Sequence, residues 1–367
     1  MRIALVVPGG VDRSGEYRVV PALLGLVERL AAQHDLTVFA LTQEPQPGEW
    51  RLAGAKVINI GTHRTRWRAI REILRQSRPV PFDLIHSIWS WLPGLVAVSA
   101  ARLLGIPSVV HVAGGELAAL RDIAYGGRLT WRGRLREMTV LRGATVVTAA
   151  STLILESLSQ LGVGARRMPL GVDLKIWPPR PPERRPPGAP ARLIHIANLN
   201  RVKDQPTLLW ALRSLRAMKC EFLLDVVGED TLQGEIQSLA QRLGLAPCVT
   251  FHGFMTQRAL RPVLERADLL VLSSRHEAGP VVMLEAAVVG VPTVGTAVGH
   301  VAEWSPNAAL AVPVGDSASL ARAIASALSD EELRMRLARR AFDRARREDA
   351  DHTAREFDAI YRGCVSL

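Results

Sequence analysis

The stretch Trp177–Pro190 reads WPPRPPERRPPGAP. So many prolines cannot sustain a helix or a central strand, because proline lacks the N–H group that both structures need. We therefore expect a stiff, solvated connector over residues 178–190. The connector separates a first domain, residues 1–177, from a second domain, residues 191–345. The length of 367 residues agrees with this division, since a single hydrophobic core rarely extends beyond roughly 250–300 residues.

Short apolar runs alternate with longer segments of helical periodicity on both sides of the connector. This alternation is typical of parallel βαβ units. We predict an α/β protein with two Rossmann-like, doubly wound parallel sheets and a ligand cleft between the domains, at the carboxyl ends of the strands. The predicted strands are Ile3–Val7, Leu36–Leu41, Lys56–Ile60, Leu84–Ser87, Ser108–Val112, Ala144–Ala149, Arg192–Ala197, Glu221–Val227, Val249–Gly253, Leu269–Ser273 and Thr293–Thr296. The predicted helices are Val20–Gln33, Trp91–Leu104, Pro206–Arg216, Gly234–Leu243, Gln257–Arg266, Val282–Val289 and Ser317–Ala327.

The end of the chain is charged and shows helical periodicity from about Glu331 onward. The cluster Arg334–Arg347, in which Leu and Ala are interleaved with Arg, is typical of an amphipathic surface helix. We expect residues 346–367 to form a helix that returns to the first domain.

The overall charge is strongly basic, with 46 Lys and Arg against 35 Asp and Glu and a net charge of +11. The basic residues are mostly Arg and form local clusters at Arg64–Arg71, Arg132–Arg142 and Arg334–Arg347. No signature of a nucleic-acid-binding fold accompanies them, so we expect no nucleic-acid partner. A solvated surface is the simplest interpretation, and peripheral association with an anionic membrane face is the alternative.

Other features of the sequence favour a cytoplasmic protein, peripheral at most on the inner face of a membrane. No run stays apolar over the roughly 18 residues that a membrane-spanning helix requires. The start, Met1–Gly10, lacks the longer apolar core and the cleavage site of a secretion signal. The three cysteines, Cys220, Cys248 and Cys364, show neither a disulfide framework nor zinc-ligand spacing, so we expect reduced thiols.

The segment Ser273–Ala287, SSRHEAGPVVMLEAA, carries the clearest functional pattern. A strand is expected to end near its start, and a helix to begin just after Gly279-Pro280. The amino end of a helix binds phosphate well because its first N–H groups have no partner within the helix. Glu277 and Glu285 flank this position, and each carboxylate can accept hydrogen bonds from hydroxyl groups. The pattern favours a nucleotide-sugar site, with two solvated glutamates as the alternative.

The same segment resembles the donor-binding signature of the GT4 family of retaining glycosyltransferases, whose members have the GT-B fold. Further similarities extend over nearly the whole chain. The resemblance implies transfer of a sugar, with retention, from a nucleotide-diphosphate sugar to a hydroxyl acceptor. That acceptor would be a glycan, a lipid-linked molecule or a small molecule, in polysaccharide or glycoconjugate synthesis. The similar stretches are Gly9-Gly10, Pro169–Asp173, Asp225–Glu229, Val249–Phe254 and Gly290–Glu303.

The resemblance also implies roles for single residues. Glu277 would contact the transferred sugar near its anomeric centre, and Glu285 would bind the ribose hydroxyls. His111, at the end of a predicted strand, would lie near the transferred sugar as a second catalytic residue, with a satisfied core histidine as the alternative. Glu116 follows two glycines and could contact the acceptor or cap the next segment.

The diphosphate of the donor is expected to lie on the segment Ala197–Lys203. Lys203 matches the family's lysine, whereas Asn198 stands where the family usually has an arginine, and Arg201 could replace that arginine. The family's E-G-F-G sequence is also changed, so that Pro280 removes one N–H donor from the loop. The remaining donor-binding candidates are Gly10, Phe251, Gly279, Val281 and Val282.

Other classes of enzyme fit the sequence less well. The G-x-G-x-x-G fingerprint of a nicotinamide dehydrogenase and the G-x-S-x-G elbow of a hydrolase are absent. No Asp-x-Asp motif lies in a loop expected to face the cleft, so we expect chemistry that needs neither a metal ion nor another cofactor. Two alternatives stay open: a sugar-nucleotide epimerase, and a non-catalytic nucleotide-sugar-binding protein, which the changes at Asn198 and Pro280 would explain.

Overall fold

The chain divides into two α/β units in the computed structural model, which describes residues 1–186 and 188–366. The first unit contains Met1–Gly171 together with the segment that begins at Asp349, and the second contains Val172–Glu348. Pro187 of the expected connector and Leu367 of the expected last helix lie outside the described residues.

The first unit is built around an eight-stranded sheet. Its strands are β1 (Arg2–Val7), β2 (Asp35–Ala40), β3 (Gly48–Leu52), β4 (Ala55–Asn59), β5 (Leu84–Ile88), β6 (Ser108–Val112), β7 (Val146–Ala149) and β8 (Arg166–Arg167). They follow the order β3-β4-β2-β1-β5-β6-β7-β8; β3 runs antiparallel to β4, and the other paired strands are parallel. The helices are α1 (Pro21–Ala31), α2 (Thr65–Ser77), α3 (Leu92–Leu104), α4 (Trp131–Gly143) and α5 (Thr152–Gln160).

The central strands of this sheet are buried along their whole length. Every residue of β5 and β6 is buried, because helices cover both faces of the sheet. Two of the covering helices begin at residues that favour a helix start. Helix α1 starts at Pro21, and the Thr130 side chain caps α4 by accepting a hydrogen bond from the Gly133 N–H. The carboxyl ends of the parallel strands therefore meet at one edge of the first unit.

The second unit contains a six-stranded parallel sheet. Its strands are β9 (Ala191–Ile196), β10 (Phe222–Val227), β11 (Val249–Gly253), β12 (Leu269–Leu272), β13 (Thr293–Thr296) and β14 (Ala309–Val312), in the order β11-β10-β9-β12-β13-β14. Its helices are α6 (Gln205–Ala217), α7 (Glu235–Arg242), α8 (Gln257–Leu264), α9 (Val281–Val288), α10 (Gly299–Trp304), α11 (Ser317–Ser329) and α12 (Glu331–Arg347). Leu193 and Ile194 of β9 belong to two different core clusters, since successive side chains of a strand point to opposite faces.

The described residues of the proline-rich connector are mostly exposed, as expected, and the segment is also attached to the second unit at both of its ends. Val172 and the fully buried Trp177 belong to the core of the second unit. The Arg180 N–H donates to the Val288 carbonyl at 2.8 Å, and the Arg185 N–H donates to Glu331 at 3.1 Å. Prolines exclude helix and central strand, but they do not prevent an extended segment from docking through its other residues. The first unit accordingly gives way to the second after Gly171, six residues before the expected boundary.

The last helix, α13 (Ala350–Val365), belongs to the first unit. Asp349 caps it by accepting a hydrogen bond from the His352 N–H. The Thr353 hydroxyl donates to the Pro169 carbonyl at 2.8 Å, and Tyr361 contacts β5. The preceding helix, α12, extends to Arg347 and so passes the residue at which we expected the second domain to end.

The basic cluster of α12 is only partly a surface feature. Arg334 is 2% exposed and pairs with Glu331 at 2.6 Å, and Arg344 pairs with Glu303. Within residues 1–186 and 188–366, no helix is long and apolar enough to cross a membrane.

Candidate active site

Lys203 and Glu277 form an ion pair in the second unit. Lys203 Nζ lies 2.5 Å from Glu277 Oε1, and the two side chains are 24% and 12% exposed. Ser274 Oγ donates to the same carboxylate oxygen at 2.6 Å. Because the pair is partly shielded from water, the attraction between its charges is stronger than for a pair on an open surface.

The strand order explains why these residues meet. Lys203 follows β9 and Glu277 follows β12, and these two strands are parallel neighbours. Their carboxyl ends lie at the same edge of the sheet. Ser273 Oγ donates to the Lys203 carbonyl at 2.8 Å, and the Arg275 N–H donates to the Val202 carbonyl at 2.8 Å. These backbone contacts hold the two loops together and keep the lysine beside the glutamate.

The amino end of α9 lies directly after this loop. Pro280 precedes the helix, and among the described residues no acceptor is recorded for the N–H groups of Val281 and Val282. The loop also touches Gly299, which has a φ of +48°. A Cβ atom at Gly299 would lie 2.9 Å from Pro280 Cδ and 3.1 Å from the Glu277 carbonyl oxygen, so the close approach requires glycine.

Glu285 lies in the second turn of α9 and is 7% exposed. Its carboxylate oxygen Oε1 accepts a hydrogen bond from Gln257 Nε2 at 2.8 Å. Burial raises the pKa of Glu285 to about 7, although the hydrogen bond from Gln257 acts in the opposite direction. A buried carboxylate of this kind is readily satisfied by a ligand that brings hydroxyl groups.

The other residues expected at the diphosphate have protein partners. Asn198, which is exposed at the carboxyl end of β9, accepts the Glu229 N–H through Oδ1 at 3.1 Å. The Arg201 guanidinium pairs with both carboxylate oxygens of Glu235, at 2.9 and 2.7 Å. Arg201 would have to leave Glu235 to replace the family's arginine. Phe251 is half-buried in the edge strand β11, against the core of the second unit.

Gly10 lies in the loop after β1 of the first unit. Gln43 Oε1 accepts the N–H groups of Gly10 and Val11, at 2.7 and 3.0 Å. Gly10 has a φ of +83°, and a Cβ atom there would lie 2.7 Å from Val20 Cγ2. The glycine is therefore needed for the turn itself, and its N–H group donates to a glutamine side chain.

His111 is buried within β6 in this structure, and its expected role near the transferred sugar stays a prediction. Its side chain is 0% exposed, its Nδ1 lies 2.9 Å from the Thr148 hydroxyl, and the ring of Phe357 packs edge-on against it. Burial lowers its pKa to about 3, so the ring is neutral near neutral pH. Because β6 is covered on both faces, a histidine within it points into the interior.

Glu116 is also buried, and its expected contact with the acceptor stays a prediction. Its carboxylate accepts the N–H groups of Gly114 at 2.6 Å, and of Ala113 and Ser90 at 3.3 Å. The carboxylate thus ties the loop after β6 to the loop after β5. Burial raises the pKa of Glu116, against the effect of these hydrogen bonds.

Three partners of the predicted residues were not predicted: Ser274, Gln257 and Gln43. The sequence did point to Ser274, because it stands three residues before Glu277 in the segment Ser273–Ala287. Gln257 and Gln43 come from elements distant in sequence, and no local pattern connects them to Glu285 or Gly10. Throughout the described ranges, no group of three His, Cys, Asp or Glu side chains is placed to hold a metal ion.

Comparison with known proteins identifies the family. The model for glycosyl transferases group 1 matches residues 180–344, and that for a glycosyl transferase 4-like domain matches residues 19–171. The D-inositol 3-phosphate glycosyltransferase of Stackebrandtia nassauensis is 30% identical over 319 residues, which cover 78% of this chain and 71% of that protein. The chain belongs to the GT4 glycosyltransferase family. The predicted family and the predicted transferase activity are thereby confirmed.

Solved structures establish the fold of this glycosyltransferase. Sucrose-phosphate synthase from Thermosynechococcus elongatus superposes with a TM-score of 0.83 at 19% identity and covers 100% of both chains. Anabaena HepE in complex with UDP-glucose superposes with a TM-score of 0.74 at 18% identity and covers 99% of this chain and 100% of that one. The two parallel-sheet units are those of a GT-B glycosyltransferase, as the sequence predicted.

Proposed function

We propose that this glycosyltransferase moves a sugar from a nucleoside-diphosphate sugar to a hydroxyl acceptor with retention of the anomeric configuration. The observation that carries the proposal is the Lys203–Glu277 ion pair next to the amino end of α9. A cation, unpaired N–H groups and a carboxylate at one sheet edge match the needs of a leaving diphosphate and a sugar.

Departure of the diphosphate creates negative charge on the bridging oxygen. In the proposed complex Lys203 Nζ and the N–H groups of Val281 and Val282 stabilise that charge. Asn198 offers only a neutral amide in place of the family's arginine, so Lys203 bears a larger share of the stabilisation here. Glu285, once ionised, accepts the ribose hydroxyl groups.

Glu277 acts on the sugar in this proposal. Its carboxylate accepts a sugar hydroxyl while Lys203 and Ser274 hold it in place. The acceptor hydroxyl attacks the anomeric carbon on the face that the diphosphate leaves, and its proton passes to the departing phosphate oxygen. No protein base is needed, which agrees with the buried, neutral His111.

The nucleotide and the acceptor are proposed only by class. HepE was solved with UDP-glucose, so UDP-glucose is the first donor to examine. The acceptor is a glycan, a lipid-linked molecule or a small molecule with a free hydroxyl group.

Release of UDP from UDP-glucose tests the proposal. We expect release by the native chain and a large loss in Glu277→Gln, which keeps the size of the side chain but removes its charge. Glu235→Gln is the matched control, because Glu235 pairs with exposed Arg201 and lies outside the proposed site. Unchanged release in Glu277→Gln would refute the assignment of that residue, and an NMR spectrum of an inverted linkage would refute retention.

The same assay separates the alternatives. A sugar-nucleotide epimerase would yield a changed sugar without stoichiometric transfer, and a non-catalytic protein would bind UDP-glucose and release nothing. Metal-independent transfer is a further part of the proposal: we expect the same rate of UDP release with and without a chelator. Loss of release on chelation, restored by a divalent cation, would contradict it.

A further inference from the structure

Three helices cover one face of the first sheet and lie side by side: α2, α3 and α4. Each lies between strands that progress in the same direction across the sheet, from β4 to β5, from β5 to β6 and from β6 to β7. Because such connections are right-handed, the three helices are placed on the same face. Their outer sides together form one surface, which we call the arginine surface.

Helix α2 supplies a continuous basic stripe to the arginine surface. Trp67 and Arg68 stand three and four residues after Arg64, Arg71 follows one turn later and Arg78 two turns after that, so they share one side of the helix. All five are exposed, and Trp67 is 64% exposed. The opposite side of α2 is packed into the core, which fixes the orientation of the stripe.

Helix α4 also presents exposed arginines, and it exposes two large apolar side chains where α2 exposes one. Trp131 and Leu135 are 66% and 61% exposed and lie one turn apart on its outer side. Arg132, Arg134 and Arg142 are exposed around them. Exposed apolar side chains within a basic surface mark a contact that is both apolar and anionic.

Few carboxylates neutralise this charge. The acidic residues of α2, α3 and α4 are Glu72 and Glu137. Glu72 pairs with Arg75 at 2.6 Å, and Glu137 is 1% exposed beneath α4, where it accepts the Ser90 hydroxyl. The arginines of α12 differ, since Arg334 and others there are held by carboxylates. A large part of the net positive charge is thus free on the arginine surface.

Three tryptophans of the arginine surface lie near the same edge of the first sheet. Trp67 and Trp131 lie in the first turns of α2 and α4, and Trp91 immediately precedes α3. These three helices begin near the carboxyl edge of the parallel strands. The aromatic side chains are therefore concentrated at one end of the arginine surface, as expected where apolar rings enter the boundary of a bilayer and arginines remain among the head groups.

We propose that the arginine surface docks this glycosyltransferase on an anionic lipid bilayer. Charge complementarity with acidic head groups supplies the attraction, and Trp67, Trp131 and Leu135 supply apolar insertion. A single-stranded RNA would need bases stacked along a groove, whereas these rings project singly from convex helices. The docking does not depend on the identity of the sugar donor.

Vesicle co-sedimentation of the full chain tests the proposal. We expect binding to vesicles of phosphatidylcholine mixed with phosphatidylglycerol, little binding to phosphatidylcholine alone, and weakening by salt. The variant Arg68→Glu/Arg71→Glu/Arg132→Glu should bind roughly a hundredfold less tightly, at about fivefold for each arginine lost near the membrane. Trp67→Ala/Trp131→Ala should also bind less tightly, with its charge unchanged.

The matched control reverses three exposed arginines of α12, as Arg336→Glu/Arg339→Glu/Arg347→Glu, and so has the same net charge. It should bind vesicles as the native chain does. Equal losses in both triple variants would overturn the proposal, as would native binding to RNA without binding to the mixed vesicles. Thermal unfolding midpoints confirm that each variant is folded, and UDP release without vesicles reports separately on the transferase proposal.

Discussion

At the scale of single residues, Lys203 is the side chain on which the proposed leaving-group stabilisation chiefly depends. We expect Lys203→Ala to lower kcat for UDP release by about a hundredfold to a thousandfold, the usual effect of removing one donor to a developing oxyanion. Arg201→Ala should change kcat only a few fold, because its guanidinium is paired with Glu235 on the surface. Steady-state kinetics on both variants measure the difference, and equal losses would show that Arg201 moves to the diphosphate.

Glu285 predicts a pH dependence of donor binding. With a pKa of about 7 in the ligand-free protein, its carboxyl group becomes protonated as the pH falls below that value. Only the carboxylate accepts two hydroxyl hydrogen bonds, so the Kd for UDP should rise about tenfold for each unit of pH below the pKa. Calorimetric titration of UDP checks the slope. Glu285→Gln should show weaker binding that no longer follows this pH dependence.

Glu285 also makes the stability of the folded protein depend on pH, and this stability should fall as the pH rises, whereas UDP binding should strengthen. Since folding raises the pKa of Glu285 from 4.5 to about 7, the folded state binds more protons than the unfolded state between these values. Its contribution to the free energy of unfolding therefore falls as the pH rises from 4.5 to 7 and stays low above. Above pH 7 we expect ligand-free Glu285→Gln to be more stable by roughly 3 kcal/mol. Urea unfolding measures this, and a destabilised variant would contradict it.

Among the predicted site residues, loop positions were easier to place than strand positions. Glu277 and Lys203 follow parallel strands, and the common edge of such strands brings them together. His111 lies inside a strand, and a run such as Ser108–Val112, apolar apart from a serine and the histidine, gives no indication of which face a side chain occupies. The hydrogen bonds of Glu116 were not predictable, because the N–H groups that it accepts come from two loops, one of them 26 residues away.

At the scale of elements, Trp177 anchors the proline-rich segment to the second unit. Its side chain is fully buried beside Val172 in the core that contains α9. We expect Trp177→Ala to lower the free energy of unfolding by about 3–5 kcal/mol, the cost of a large cavity. Trp210→Ala is the control, because Trp210 is 44% exposed on α6 and its loss should cost little. An unchanged free energy of unfolding in Trp177→Ala would contradict this.

The elements that the sequence predicted are those with long apolar runs. Each predicted strand overlaps an observed strand, and each predicted helix overlaps an observed helix. The strands β3 and β8 were missed because they are short edge strands with few apolar residues, and β14 was missed because its apolar run is only four residues long. The helices α2 and α4 were missed because arginines fill so much of each helix that the narrow apolar stripe of their buried sides is hard to detect.

At the scale of the whole molecule, the two units should respond differently to the nucleotide. Lys203, Glu277, the start of α9 and Glu285 all belong to the second unit. Hydrogen exchange of the full chain with UDP should therefore show new protection in residues 198–205 and 273–286. Protection that arises only in residues 1–171 would contradict the proposed position of the nucleotide.

The first unit is discontinuous, and this has a consequence for how the chain is made. Helix α13 places Phe357 and Tyr361 against His86 and His111, but it is translated after the whole of the second unit. A ribosome adding about 5–20 residues per second spends roughly 10–40 s on the second unit before α13 emerges. During that interval the part of the amino-terminal sheet around β5 and β6 lacks the cover that α13 provides, and a chaperone could bind there. The second unit is contiguous and can complete its fold first, so the order of maturation is the reverse of the order of synthesis.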